Sequence, residues 1–176
     1  MPHRRTLLLP ATVALALGAA VVPASAAQQP PGLIPTVSKI RFNGIGAFYV
    51  GMNRKQAREA AGTVYYTHQR VGSCLYWNFG PPGTPDGPFL RFHSGRLRYV
   101  ETGTNEFATK RGVKVGDRVR KVRKRYHRLH RRVDLGGGYE LVARKGHNRL
   151  IFTIVNKRVS AIAGGRAPWA LQQECE

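Results

Sequence analysis

The chain has 176 residues and carries 29 lysines and arginines against 9 aspartates and glutamates, a formal net charge of +20. This excess favours an anionic partner without naming it, because nucleic acid, anionic lipid, teichoic-type polymers and acidic proteins all attract a positive surface. The length corresponds to about one domain. The few carboxylates are scattered, so a hydrolase that works with a pair of them is not expected.

The first 26 residues have the pattern of a secretory signal peptide. Arg4 and Arg5 precede an apolar run that ends in Ala24-Ser25-Ala26, a small-x-small cleavage motif. An uncleaved membrane anchor is the alternative, and export by the twin-arginine route stays open. We expect residues 1–26 to be removed and the protein to be secreted, with no stable membrane span afterwards. Intracellular nucleic acid is then not an expected partner.

A proline-rich lead over residues 27–38 should be flexible, and a folded domain should follow over residues 39–176. Two short motifs recur in this domain. Val50-Gly51-Met52-Asn53 leads into one segment of helical character, and Val115-Gly116-Asp117-Arg118 leads into another. The recurrence predicts two tandem repeats, repeat one over about 40–104 and repeat two over about 105–176.

Apolar runs rich in β-branched and aromatic residues follow each helical segment. The expected strands are Cys74–Phe79, Phe89–Phe92 and Leu97–Val100 in the first repeat, and Tyr139–Ala143, Leu150–Val155 and Val159–Ile162 in the second. The predicted fold class is therefore α+β: two tandem repeats, each a helix followed by about three antiparallel strands, in one compact domain. Chance similarity between short apolar runs is the alternative.

The stretch KRGVKVGDRVRKVRKRYHRLHRR, from Lys110 to Arg132, is the most basic part of the chain. Val115, Val119, Val122, Tyr126 and Leu129 recur at spacings of three and four, which predicts one apolar stripe of an amphipathic helix. Cations then occupy the exposed arc, where they either bind a polyanion or keep the protein soluble. The candidate anion-binding residues are Arg118, Arg120, Lys121, Arg123, Lys124, Arg125, Arg128, Arg131 and Arg132.

The two cysteines, Cys74 and Cys175, both lie in the part expected to be exported. An oxidising compartment makes a disulfide between them the default. A catalytic thiol at Cys74, with His68 or His93 as its base, is the alternative.

Other candidate sites are weak. His127 and His130 could share a metal on one helical face, but the surrounding arginines oppose a dication, so no metal site is expected. Tyr76 and Trp77 fit packing beside the disulfide better than a carbohydrate-stacking platform. No catalytic residue and no cofactor is expected, and the protein is not predicted to be an enzyme.

The motifs of this chain resemble those of a family of small secreted actinobacterial proteins, mostly uncharacterised. The matching residues are Gly44-Ile45-Gly46 through Val50-Gly51-Met52, Cys74-Leu75-Tyr76, Ser94-Gly95-Arg96, Gly112-Val113-Lys114-Val115-Gly116-Asp117 and Glu174-Cys175. The two Gly-Met and Gly-Asp motifs are also similar to the repeat of secreted β-lactamase inhibitor proteins and of small outer-membrane assembly lipoproteins. That resemblance implies helical elements packed on an antiparallel sheet, and it implies no active site.

The sequence thus predicts a secreted, disulfide-bonded, non-enzymatic binding protein. Its expected partner is an anionic envelope polymer or an acidic protein, engaged through the basic helix face. The alternative is a secreted protein inhibitor of an enzyme, similar to the β-lactamase inhibitors, which would use its sheet surface.

Overall fold

The computed structural model describes residues 39–62, 66–79, 87–133, 137–166 and 175. The predicted signal peptide over residues 1–26 and the predicted lead over residues 27–38 both lie outside these residues, and so remain predictions. Within the described part of the chain, neither helix is long and apolar enough to cross a membrane.

Strands dominate the structure, and the helices are short. The elements in chain order are β1 Lys39–Arg41, β2 Gly44–Ile45, β3 Phe48–Tyr49, α1 Arg54–Ala61, β4 Tyr66–Val71, β5 Cys74–Phe79, β6 Phe89–His93, β7 Arg96–Thr102, β8 Ala108–Thr109, α2 Val119–Arg125, β9 Leu129–Val133, β10 Tyr139–Lys145, β11 Asn148–Val155 and β12 Arg158–Gly165. All six strands expected from the sequence are present.

These strands form one large and one small sheet. The large sheet has eight strands in the order β4-β5-β6-β7-β12-β11-β10-β9, and every neighbouring pair is antiparallel. It consists of two meanders, β4–β7 and β9–β12, which meet where β7 pairs with β12. The small sheet has four strands in the order β3-β2-β1-β8, and its β1 and β8 strands run parallel.

The predicted α+β fold class, with two tandem repeats that are each a helix followed by about three strands, is wrong, because the described structure is mostly β. The helices span only eight and seven residues, and the strands belong to one continuous eight-stranded sheet with a small sheet packed on it. The β7–β12 pairing is the physical reason. The paired residues of β7 and β12 extend from Thr102 opposite Ile162 to Tyr99 opposite Gly165, so backbone hydrogen bonds join the two meanders into a single sheet.

The two edge strands of the large sheet, β4 and β9, were not predicted from the sequence. His68, Gln69 and Arg70 are exposed, so β4 lacks the apolar alternation that reveals a half-buried strand. β9 is equally polar, with His130 and two arginines in its five residues. Polar and charged edges protect a sheet from pairing with other chains, and for the same reason such strands are hard to recognise in a sequence.

The core lies between one face of the large sheet and the helices and small sheet that cover it. Its first part is aromatic, with the Trp77 and Phe92 ring centroids 4.7 Å apart and those of Phe48 and Phe79 5.0 Å apart. Its second part is mainly aliphatic around Phe152. A glycine allows the small sheet to approach, since a Cβ on Gly164 would lie 2.2 Å from the Arg41 carbonyl oxygen.

Each helix starts beside a hairpin of the large sheet. Before α1, the Gly51 N–H donates to the Leu97 carbonyl at 2.8 Å, and the Leu97 N–H donates to the Met52 carbonyl at 2.7 Å. The Arg96 guanidinium also donates to the Gly51 carbonyl at 3.2 Å. These bonds fix the start of α1 on the turn between β6 and β7.

The start of α2 has the matching contacts on the turn between β11 and β12. The Gly116 N–H donates to the Val159 carbonyl at 2.8 Å, and the Val159 N–H donates to the Asp117 carbonyl at 2.9 Å. The Arg158 guanidinium donates to the Gly116 carbonyl at 2.9 Å. The recurring sequence motifs therefore mark a local contact between a helix start and a hairpin.

Candidate anion-binding site

Helix α2 presents the basic surface predicted from the sequence, but it is shorter than the apolar stripe suggested. It ends at Arg125, because Tyr126 has extended backbone angles of φ −128° and ψ 104°. Val122 and Tyr126 are buried in the core, and Val115 and Val119 pack against it at half-buried positions. Leu129 also contacts the core, but from strand β9. Packing of the stripe is thus confirmed, and a helix through Leu129 is wrong.

An arginine outside the helix covers its C-terminal end. The Arg111 guanidinium donates to the Arg125 carbonyl oxygen, and its Cζ lies 5.0 Å from the centroid of the Tyr126 ring. A cation there satisfies a carbonyl that has no partner within the helix, and it suits the helix dipole. Burial raises the pKa of Tyr126, against the opposing effects of Thr109 and Arg111.

Asp117 is the acidic group at the start of α2. Its carboxylate accepts from the Lys114 N–H at 2.7 Å and pairs with the Lys121 ammonium at 2.7 Å. Partial burial alone would raise the pKa of Asp117, but the Lys121 and Lys114 hydrogen bonds outweigh it, so the pKa lies below the usual 3.8. Lys121 is therefore partly neutralised, and the remaining basic surface is formed by the other cations.

The predicted anion-binding residues fall into three groups. Arg118, Arg120, Arg123, Lys124, Arg125 and Arg128 are exposed in or next to α2. Lys121 is half-buried in its ion pair. Arg131 and Arg132 lie in β9, opposite Leu141 and Glu140 of β10, and their side chains are outside the described residues. Anion binding by this set remains a prediction.

A cleft elsewhere on the molecule brings together cations that the sequence analysis did not select. We call it the β1–β2 cleft. It has a volume of ≈ 680 Å³. Its floor includes Ile40, Phe42, Tyr126 and Leu150, and its remaining lining residues are Arg41, Asn43, Lys110, Arg111, Arg144, Lys145 and Asn148. Five of these are cations, and no carboxylate is among the described residues that line it.

An adjoining cleft of ≈ 350 Å³ shares Asn43 and Asn148 with the β1–β2 cleft. Its cations are Arg96, Arg98 and Arg166. The Nε of Arg98 is buried and has no hydrogen-bond partner, and such a donor costs about 1–3 kcal/mol until an acceptor reaches it. Sequence patterns cannot find these residues, because they come from distant segments that share no spacing.

The disulfide prediction is confirmed. Cys74 and Cys175 are bonded, with Cα atoms 5.0 Å apart, and this excludes a free catalytic thiol at Cys74. The Tyr76 hydroxyl lies 3.2 Å from the Cys175 sulfur. Trp77 is buried in the core, so it is not available as a stacking platform.

The two histidines considered as metal ligands lie in different settings. His127 follows α2, whereas His130 lies in β9, and both are exposed. In the part of the chain that the structure describes, no three His, Cys, Asp or Glu side chains form a group that could hold a metal ion.

The opposite face of the large sheet holds two titratable groups, Tyr99 and Glu101, whose pKa values are shifted. The Tyr99 hydroxyl donates to the Glu101 carboxylate. Burial, followed by the Glu101 charge, raises the pKa of Tyr99 well above 10.0. Burial also raises the pKa of Glu101, and Glu140 adds to this while the Tyr99 hydrogen bond opposes it. Because Tyr99 and Glu101 lie in the same strand, β7, and are hydrogen-bonded to each other, we regard the pair as structural.

No protein-family model matches this chain, and no curated protein matches it. A solved structure that it resembles is that of the uncharacterized protein yfeY from Escherichia coli. The likeness covers 73% of this chain and 99% of that chain, with a TM-score of 0.47 and 13% sequence identity.

Proposed function

We propose that this is an exported, non-enzymatic binding protein that engages an anionic polymer or acidic protein of the cell envelope through the basic surface of α2. One observation carries the proposal. Arg118 is exposed just before a short helix, and Arg120, Arg123, Lys124 and Arg125 are exposed within it. Asp117 is paired with Lys121 and offsets little of their charge. Such a surface attracts polyanions through displaced counterions.

Export is the second part of the proposal. Ala24-Ser25-Ala26 fits a signal-peptidase site, and the Cys74–Cys175 disulfide fits an oxidising compartment. N-terminal sequencing of protein recovered from the culture medium should give a start at Ala27 or within a residue or two of it. Recovery of the chain with Met1 intact in the membrane fraction would contradict export.

The test of the basic surface is a salt titration. Binding of the mature protein to purified, teichoic-acid-containing cell walls is measured by sedimentation at increasing NaCl. Arg120, Arg123 and Lys124 are replaced together by Gln. If each contacts the polymer, the slope of log affinity against log salt should fall by up to about 3.

A charge-matched control separates the surface from net charge. Lys39, Arg54 and Arg70 are exposed cations away from α2, and replacing them by Gln removes the same three charges. The control should keep the parental slope. Equal loss in both variants would show that only net charge matters, and it would remove the proposed role of α2.

An enzyme inhibitor is the second candidate, and one feature of the sheet favours it. The Tyr76 and Phe89 ring centroids are 5.4 Å apart, beside a cavity of ≈ 630 Å³ that Gln69, Asn78 and Glu101 also line. Mixed aromatic and polar surfaces suit protein interfaces. An inhibitor should lose little affinity as salt rises, because shape complementarity is screened much less than charge. Salt-insensitive capture of an enzyme by the parent would favour this function.

A further inference from the structure

We propose that the β1–β2 cleft and the adjoining cleft together form a binding site for a linear anion that carries phosphate groups. The site uses other residues than the α2 surface, so it stands or falls independently of the proposed function. It is built by three parts of the fold: the turn between β1 and β2, the turn after β8, and the adjacent ends of β10, β11, β7 and β12.

Cations from distant parts of the chain converge in the β1–β2 cleft. Arg41, the pair Lys110 and Arg111, and the pair Arg144 and Lys145 come from three separate segments and line one cleft. A cleft of ≈ 890 Å³ beside α1 also has several cations, but Glu59 lies among them and is 4.0 Å from Lys55. The β1–β2 cleft has no such carboxylate among its described lining residues. Like charges this close repel one another, and a bound anion would reduce that repulsion.

The cations of the β1–β2 cleft lie around an apolar floor. Ile40, Tyr126 and Leu150 are buried residues of the core, and each also lines the cleft. A concave site with an apolar floor focuses the field of its cations and weakens screening by salt. The volume of ≈ 680 Å³ lies within the range of ligand pockets.

The shape and charge of the two adjoining clefts suit a linear polyanion. The two clefts share Asn43 and Asn148, so a linear ligand could pass from one into the other. Arginine supplies most of the cations, and its planar guanidinium can form paired hydrogen bonds with phosphate. Arg98 adds a buried Nε that has no acceptor. Successive phosphate groups would supply both the charge and the acceptors.

The first experiment is calorimetric titration of the mature protein with inorganic phosphate, pyrophosphate and tripolyphosphate at a constant ionic strength of about 0.15 M. We expect saturable binding of one pyrophosphate per protein, with tripolyphosphate binding more tightly and phosphate more weakly. Absence of saturable binding, or equal affinity for acetate, would overturn the proposal.

Matched variants locate the site. Replacing Arg41, Lys110 and Lys145 by Gln removes three exposed cations of the cleft, and should weaken pyrophosphate binding at least about tenfold. Replacing Arg120, Arg123 and Lys124 by Gln removes the same charge from α2 and should change it less than about threefold. Equal weakening in both variants would overturn the proposal.

A second measurement does not depend on the fold of any variant. On titrating the parent with pyrophosphate, the NMR signals of Asn43, Asn148 and the Tyr126 ring should shift together and saturate. Shifts confined to the amides of α2 would overturn the site. Two further titrations identify the source of the phosphate: tighter binding of glycerol 3-phosphate indicates a free or terminal phosphate, and tighter binding of glycerophosphoglycerol indicates the diester of a polymer.

Discussion

The two halves of the large sheet have the same order of elements but are stabilised differently. In the first half, α1 precedes β4–β7, its start is capped by side chains, and a disulfide holds β5. In the second half, α2 precedes β9–β12, and its start has no side-chain cap. Both helices begin on a hairpin through the same pair of backbone hydrogen bonds.

This difference shows how a cationic helix can be kept on a fold. Helix α1 has a capping box between Asn53 and Gln56, with both hydrogen bonds at 2.9 Å. Helix α2 has three cations in its last turn and repulsion between neighbours three and four residues apart. It depends instead on burial of Val122 and Tyr126 and on Arg111 at its end. Its surface is therefore free to carry charge.

The largest expected effect on stability is at Val122, a fully buried residue of α2. Val122→Asp places an unpaired carboxylate in the core and should destabilise the protein by more than about 4 kcal/mol, enough to unfold it. Urea denaturation followed by circular dichroism measures this. Lys124→Gln, two residues further along the same helix, is the control and should have the same urea midpoint as the parent. A folded Val122→Asp protein with the parental midpoint would show that packing does not hold α2.

The next effect is loss of the disulfide. Replacing Cys74 and Cys175 together by Ser removes a disulfide between residues that are 101 positions apart in the sequence. This should lower the free energy of unfolding by about 2–5 kcal/mol. Hydrogen exchange tests the comparison directly. Amides of β4 and β5 should exchange faster by a larger factor than those of β10 and β11. Uniform acceleration across the sheet would indicate that the two halves unfold only together.

The helix caps give a smaller contrast. Asn53→Ala removes the side-chain acceptor of the α1 capping box and should cost about 1 kcal/mol. Arg118 occupies the equivalent position before α2 but makes no side-chain cap, so Arg118→Ala should cost less than about 0.5 kcal/mol. Denaturant midpoints of the two variants provide the measurement. Equal losses would mean that the caps do not distinguish the helices.

Neutralising the α2 surface should have the opposite sign. Replacing Arg120, Arg123 and Lys124 by Gln removes like-charge repulsion and should leave stability unchanged or raise it by a few tenths of a kcal/mol. Thermal unfolding at low and high salt measures this, because screening should reduce any gain. A marked loss of stability would show that these side chains contribute packing as well as charge.

The smallest effect concerns Asp117, and it depends on pH. The folded-state pKa of Asp117 is lowered, so the ionised carboxylate stabilises the protein above the unfolded-state pKa, and that contribution is lost as pH falls through the lowered value. Asp117→Asn should therefore cost a few tenths of a kcal/mol at neutral pH. The difference between variant and parent should disappear in acid. A difference that persists there would have another cause.

Local patterns were sufficient for much of this structure. Runs rich in β-branched and aromatic residues located the six inner strands, because such side chains pack well on a pleated, half-buried surface. Spacings of three and four identified Val119 and Val122 as the buried side of α2. The two cysteines were enough to predict the disulfide, since each had no other partner of its kind. These features depend on neighbours in sequence or on composition.

Tertiary structure decided the rest. The polar edge strands β4 and β9 form only because β5 and β10 offer them backbone partners, and the β7–β12 pairing makes one sheet of two meanders. The cationic clefts exist because Gly164 lets the β1–β2 turn rest on the sheet, which places Arg41 near Lys145 and Lys110. Residues so far apart in sequence share no spacing, so their meeting is fixed by backbone pairing and packing alone.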